Sequence, residues 1–329
     1  MKKLSIVFTG RNDDYGGDFK SRLERCVQSL HTQLNHFQIS SEILFVNYNP
    51  LPEPPVETFI NWPKSTEIVT VKIITVPNEK HLSFVEKYHV KPLPVIEYLG
   101  KNVGIRRSEG EYILCMNPDI LISDEIIKRF RTQLDEKHYY RANRIDFDYH
   151  NNEKKILQIH LKGKEYPVRN YSETERITLN IKDKIRNFYN RNTIHFEWLF
   201  NRLSIPVIYD NAELFYHCKT SGDFMLMHRN HWYALNAYPE TFPIALHIDS
   251  LFTIQTAMLP LKEYIYKHPI FHEEHERRFT ANKKIEEERI AYDRYQIEAQ
   301  KMLKSKKSII YNHEHWGLNN EELPISVIE

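Results

Sequence analysis

The sequence predicts an α/β protein with a mostly parallel central sheet flanked by helices, a partly helical insertion and a C-terminal helix. Three observations predict it. Short apolar runs rich in β-forming residues recur through the first third of the chain, at 4–8, 42–46, 69–76 and 111–116. A segment of helical period stands after the first of them. Each run also stops abruptly in polar turn residues, as buried strands do where a sheet ends. Strands that alternate with helices pair in parallel.

Taken in order, Leu4-Ser5-Ile6-Val7-Phe8 is a buried strand that stops at Thr9-Gly10-Arg11-Asn12-Asp13-Asp14, and Phe19, Leu23, Cys26, Val27, Leu30 and Leu34 then recur at helical spacing. The second strand ends at Asn47-Tyr48-Asn49-Pro50 and the third at Pro77-Asn78-Glu79, with the proline-rich stretch 50–63 between them as an extended loop. Lys101 to Arg107 reads as a loop entering a helix, with Gly104 for close approach and a basic cluster suited to a diphosphate. The fourth strand, Glu111 to Met116, delivers Asn117-Pro118-Asp119 to its carboxyl edge. Ligands of open α/β sheets bind outside the carboxyl ends of strands, so an Asn and an Asp held there by a φ-locked proline are placed to meet a metal-bound phosphate.

Ile120 to Glu125 opens a helix running to about Leu134, with Ser123 as N-cap; Asp124 and Glu125 then serve the helix dipole. Tyr139 to Asp148 is an edge strand whose Arg144, Asp146 and Asp148 form a solvated face. Residues 149–206 are polar and charged, with helix-compatible segments at 172–191 and 193–203, and read as an insertion over the sheet suited to acceptor recognition. A turn at Thr220-Ser221-Gly222-Asp223 leads into an apolar strand, and Asp249 opens a helix spaced by Leu251, Ile254 and Met258. His272 and His275 follow Pro269 in a strand end or loop, three apart rather than the four of a His-Glu-x-x-His zinc motif. The stretch 282–304 is a mostly solvated helix, and the tail, with His313, His315 and Trp316, folds back on the domain. The organisation is one domain over 1–278 with the insertion inside it, and a helical extension over 279–329.

The 329 residues suffice for a real core, and 41% hydrophobic with 27% charged residues describes a soluble globular chain. With a formal charge of +1, nothing points to a nucleic-acid footprint spread over the surface. Cys26, Cys115 and Cys218 are odd in number, far apart and in apolar surroundings, which fits reduced thiols and a cytoplasmic location. The run after Met1-Lys2-Lys3 is too short for a signal peptide, and no stretch approaches transmembrane length.

Asn102-x-Gly104, Gly110-Glu111-Tyr112, the apolar strand and Asn117-Pro118-Asp119 together resemble the family-two glycosyltransferases of the GT-A fold, a Rossmann-like sheet, and in particular rhamnosyltransferase-like members with an Asn-Pro-Asp motif. The resemblance covers about the first half of the chain and returns in patches between Ser221 and Arg278. It implies an inverting, cation-assisted transfer of a hexosyl or deoxyhexosyl group from a nucleotide-sugar donor to a hydroxyl of a glycan or other acceptor, as in polysaccharide biosynthesis. Thr9, Arg11, Asp13 and Asn47 become candidates for base and ribose, and Asn102, Arg106 and Asn117 for the diphosphate side of the donor. Asp223 is the candidate for sugar hydroxyls, Asp249 for the general base, and Asp119 with His272 for Mn2+ or Mg2+. Most relatives carry Asp-x-Asp where this chain has Asn117, which leaves one carboxylate to reach the cation. Local alternatives stand beside these roles: Asn12-Asp13-Asp14 and Asp249 as helix caps, and Asp223 as the end of a turn. A nucleotidyltransferase on a similar sheet and a non-catalytic sugar-binding or scaffold protein are the rival functions, and a homo-oligomer is compatible with the sequence.

Overall fold

A computed structural model describes residues 2–147, 202, 216–218, 221–242, 244–275 and 281–329. Asp148 and, apart from residue 202, the expected insertion lie outside the described residues. The centre is a nine-stranded mixed sheet in the order β5-β8-β6-β7-β4-β1-β2-β3-β9. The strands are β1 (Leu4–Gly10), β2 (Ser41–Tyr48), β3 (Val69–Val76), β4 (Tyr112–Met116), β5 (Ile120–Ile122), β6 (His138–Phe147), β7 (Phe224–His228), β8 (Lys262–Glu273) and β9 (Ile325–Val327). β4, β1, β2 and β3 run parallel, and β7 joins β4 antiparallel. The α/β class and the parallel half of the sheet follow the expectation.

Both faces of the parallel strands are covered, which is why they read as continuous apolar runs rather than alternating ones. Leu4, Ile6 and Phe8 face a core with α1 (Phe19–His36) and α5 (Asp124–Phe130), whereas Val7 faces a second core with α3 (Asn78–Tyr88) and α4 (Glu97–Arg106). In α1 the buried apolar residues are those that the helical period selected. A short α2 (Val56–Phe59) interrupts the expected loop at 50–63.

Four further elements differ from the expectation. α4 begins at Glu97 rather than after Lys101, and Gly104, expected to let a ligand approach, instead packs the helix against the sheet, as Gly100 does. A Cβ on Gly100 would lie 2.3 Å from Thr9 Oγ1, and one on Gly104 would lie 2.4 Å from Val7 Cγ1. Ile120–Ile122 is a strand, so the helix starts only after Ser123. β6 is interior, flanked by β7 and β8, and its Arg144 and Asp146 are therefore not a solvated face. The C-terminal helix, which we number α8 (Ala281–Ser305) after α6 (Arg229–Ala234) and α7 (Ile248–Ala257), buries Tyr295, Ala299, Met302 and Leu303 against Leu251 and Ile254 of α7. Small alanines on that face disguised it as polar. No helix among the described residues is long and apolar enough to cross a membrane. All three cysteines are free and buried.

The tail beyond α8 is bound to α4 and extends the sheet. β9 pairs antiparallel with β3. Arg107 donates to the carbonyls of Gly317, Leu318 and Glu321 at 2.8 to 2.9 Å, while Arg106 lies over the Trp316 ring at 4.6 Å. Glu240 is buried in the same joint, accepting from Asn102 Nδ2 and from the Gly317 N–H at 2.8 Å each. Burial pushes the Glu240 carboxyl up to about 7, against the lowering pull of these two hydrogen bonds. A folded-state pKa above the unfolded value means a contribution fully present below the unfolded pKa and lost as pH rises through about 7. The loss amounts to about 3 kcal/mol at most. Gln keeps the acceptor and cannot ionise, so Glu240→Gln should melt several degrees above the parent at pH 8 and near it at pH 4.5. An offset that is the same at both pH values in a thermal melt would show that Glu240 does not titrate with folding.

Candidate active site

The carboxyl ends of β1, β2 and β4 lie side by side because the three strands are parallel neighbours. Asn12 ties the first two loops together, donating to the carbonyls of Leu51 and Pro54 and accepting from the Leu51 N–H. At this edge Arg11 Nε and Asn47 Oδ1 are buried without a hydrogen-bond partner. Arg11 makes a loose pair with Asp13, 3.8 Å apart. A buried polar atom left unpaired is costly, so two of them at adjacent strand tips mark a place built for a polar ligand.

Sheet register assembles the next group. On β8, His272 lies opposite Ile120 of β5 on one side and Asp146 of β6 on the other. It therefore stands beside Asp119, with Nε2 3.7 Å from Asp119 Oδ2, while Nδ1 is 2.9 Å from Asp146 Oδ1. His275, just past the strand, brings its Nε2 to 3.3 Å from Asp119 Oδ2. One ligand-capable atom from each of Asp119, His272 and His275 falls within 4.8 Å of the others. Burial alone would raise the Asp119 carboxyl; the hydrogen bond with His275 and the charges of His272, His275 and Arg22 reverse that and hold it low. Burial likewise opposes protonation of His272, but Asp146 and Asp119 outweigh it and raise its pKa.

Three features fit a divalent cation here. Asp119 Oδ1 is buried with no hydrogen-bond partner. The donors are one carboxylate and two imidazoles, a set that binds transition metals. Asp146 backs His272 through its other ring nitrogen, the outer-shell arrangement that orients a ligating imidazole.

A second chain of bonds runs inward from this cluster. Lys101, fully buried on α4, donates to Glu97 Oε1 and Asn117 Oδ1 at 2.6 Å and to the Gly222 carbonyl at 2.9 Å. Burial disfavours its charge, but the charge and hydrogen bond of Glu97, with the nearby Cys115 and Asp223, more than compensate and raise its pKa, so it remains an ammonium. Asn117 Nδ2 donates to Asp223 Oδ1 at 2.8 Å, one step beyond the Met116–Phe224 pair of β4 and β7. Asp223 Oδ2 accepts from Arg144 Nη1 at 2.8 Å, and Arg144 Nε lies 2.9 Å from Asp146. Burial pushes the Asp223 carboxyl up, with Arg144 pulling against it.

Asp249 stands in the first turn of α7, two residues after the N-cap His247, so it is not the cap. Its Oδ2 accepts from the Gly222 N–H at 2.7 Å and from Ser221 Oγ at 3.0 Å. No hydrogen bond reaches Oδ1 among the described residues. The carboxylate thereby holds the turn that precedes Asp223.

Asp119, His272, Asn117, Asp223 and Asp249 thus come together, and Arg11 and Asn47 occupy the neighbouring strand tips. Others go elsewhere. Asn102 is wholly buried and spent on Tyr238 and Glu240, bonding both the carbonyl and N–H of Tyr238, so it braces α4 instead of meeting a donor. Arg106 is stacked on Trp316 and donates to the Glu314 carbonyl, which makes it a tail anchor rather than a diphosphate contact. Thr9 donates to the Val46 carbonyl beneath Gly100, and Asp13 accepts from the Tyr15 N–H as a turn residue. Sequence reasoning missed Lys101, Arg144 and Asp146 as site members. Their signal was a charge inside a strand or on a helix lacking a polar face, weak without the register.

Fold and site together define an α/β protein with a candidate cation-binding cluster at the carboxyl edge of its sheet. No family profile and no curated protein matches the sequence. Among solved structures the chain is similar to S. aureus TarS residues 1–349, at 12% identity over 82% of this chain and 60% of that one, with a TM-score of 0.45. It is similar to the same protein in complex with UDP, at 10% identity over 83% and 60% with a TM-score of 0.44. The complex with UDP-GlcNAc aligns at 13% identity over 96% and 69%, TM-score 0.43. The chain thus spans about 60% of the first two of these chains, and the case for its chemistry rests on the site itself.

Proposed function

We propose that the protein is an inverting glycosyltransferase that moves a hexosyl or deoxyhexosyl group from a nucleotide-sugar donor to a hydroxyl acceptor. The observation that carries this reading is the Asp119, His272 and His275 cluster, with its orphaned Asp119 Oδ1, at the carboxyl edge of an open α/β sheet. Two imidazoles and one carboxylate favour Mn2+ over Mg2+, which prefers all-oxygen shells. When bound, that cation supplies charge neutralisation for a departing diphosphate. Arg11 and Asn47 hold the nucleoside with the polar atoms that otherwise lack partners. Asp223, fixed at both oxygens, meets hydroxyls of the donor sugar. Asp249 takes the acceptor proton as the hydroxyl attacks the anomeric carbon from the face opposite the leaving group.

The test is calorimetric titration of the purified protein with Mn2+ and then with nucleoside diphosphates, joined to release of nucleoside diphosphate from a panel of nucleotide sugars. Expected are Mn2+-dependent nucleotide binding and slow donor hydrolysis. Binding without any hydrolysis or transfer would favour the non-catalytic rival, and no nucleotide binding with or without Mn2+ would end the reading.

A further inference from the structure

Asn117 occupies a position whose chemistry is dictated from two sides. Its Oδ1 accepts from the buried ammonium of Lys101, and its Nδ2 donates to Asp223 Oδ1. A carboxylate at 117 could answer Lys101 but would present a second negative oxygen to Asp223, which is only 4% exposed and so poorly screened by bulk solvent. A side chain with one acceptor face and one donor face is required, which an amide of that length supplies and an ionised carboxylate does not. Lys101 has few alternatives either, since its three acceptors come from α4, from the tip of β4 and from the turn before β7.

We propose that Lys101 and Asn117 are positioning residues: they form a buried clamp that fixes Asp223 in the turn before β7. Asn117 then touches neither cation nor donor. Arg144 completes the clamp by holding Asp223 Oδ2, so the carboxylate is oriented at both oxygens before any ligand arrives. Preorganisation of this kind is what a sugar-binding carboxylate needs to discriminate hydroxyl geometry. The role of Asp223 toward the sugar rests on the proposed function; the clamp itself does not.

The clamp makes amide and carboxylate an exchangeable pair, which a double-mutant cycle reads directly. Asn117→Asp alone sets two carboxylates against each other and should lower the melting temperature by about 3–6 °C. Combining Asn117→Asp with Asp223→Asn restores every hydrogen bond of the clamp: the new carboxylate accepts from Lys101 and from the amide at 223, whose oxygen still accepts from Arg144. The double variant should regain most of the lost melting temperature and keep its Mn2+ dissociation constant within about threefold of the parent by calorimetry. Nucleotide-sugar affinity should nonetheless fall tenfold or more, with nucleoside diphosphate affinity unchanged, a split that a purely structural role would not produce. A single variant as stable as the parent, or a double variant no more stable than the single, overturns the clamp. Recovery of stability together with parental nucleotide-sugar affinity overturns the positioning of a sugar contact. Failure of the parent to bind any nucleotide sugar would refute the proposed function alone, since the melting cycle still decides the clamp.

Discussion

Asp119→Ala is expected to abolish cation-dependent donor binding and lower turnover by about three orders of magnitude, while the protein still folds. Asp119 Oδ1 has no partner inside the fold, and Oδ2 faces two imidazoles that would remain to bind a metal weakly. The side chain lies at a strand tip rather than in either main core, so its truncation opens no large cavity. Within the fold it pairs with His272 and His275, and with Arg22 they hold its carboxyl low against burial. Calorimetry at saturating Mn2+, with a melt as the folding control, checks the expectation. Donor affinity equal to the parent's would remove the metal assignment and leave the cluster as a buried ion pair.

Asp249→Asn should reduce turnover by roughly two to four orders of magnitude with donor affinity nearly unchanged. The structure makes this substitution cleaner than it looked from the sequence, where Asp249 was either a base or a helix cap. The cap is His247, and the N–H of Gly222 and the hydroxyl of Ser221 both point at Asp249 Oδ2. An amide oxygen accepts the same two hydrogen bonds, so the Gly222–Asp223 turn keeps its place and stability should hold within about 1 kcal/mol. What Asn cannot do is take a proton. Normal transfer by this variant at unaltered stability would move the base assignment to another carboxylate, with Asp223 first in line.

The split between what was legible and what was not follows one physical line. Buried parallel strands advertise themselves as apolar runs, so β1, β2, β3 and β4 were readable, as was the period of α1. Strand tips end in residues that cannot continue a sheet, so Asp119, Asn117 and Asn47 could be placed at the ligand edge from local chemistry. Asp223 and Asp249 were singled out as acids next to apolar elements, and the fold brings them within one turn of each other. Arg106 and Arg107 misled because a basic pair beside a glycine fits an anion and a tail equally well, and only packing against Trp316 and Gly317 distinguishes the two.

By itself the sequence determined the α/β class, the strands of the parallel half-sheet and the polar residues at their carboxyl ends, because periodicity and turn chemistry act over a few neighbouring residues. The tertiary structure alone decided which distant charges meet. His272 reaches Asp119 through the pairing of β8 with β5, and Asp146 backs it through the pairing of β8 with β6, contacts that depend on register. Lys101 joins the site because Gly100 and Gly104 let α4 settle onto β1, and its charge survives burial only where three acceptors from separate elements converge. A register shift of one residue would turn His272 and Asp146 to the other face of the sheet, and no local pattern in the chain records which register the folded protein adopts.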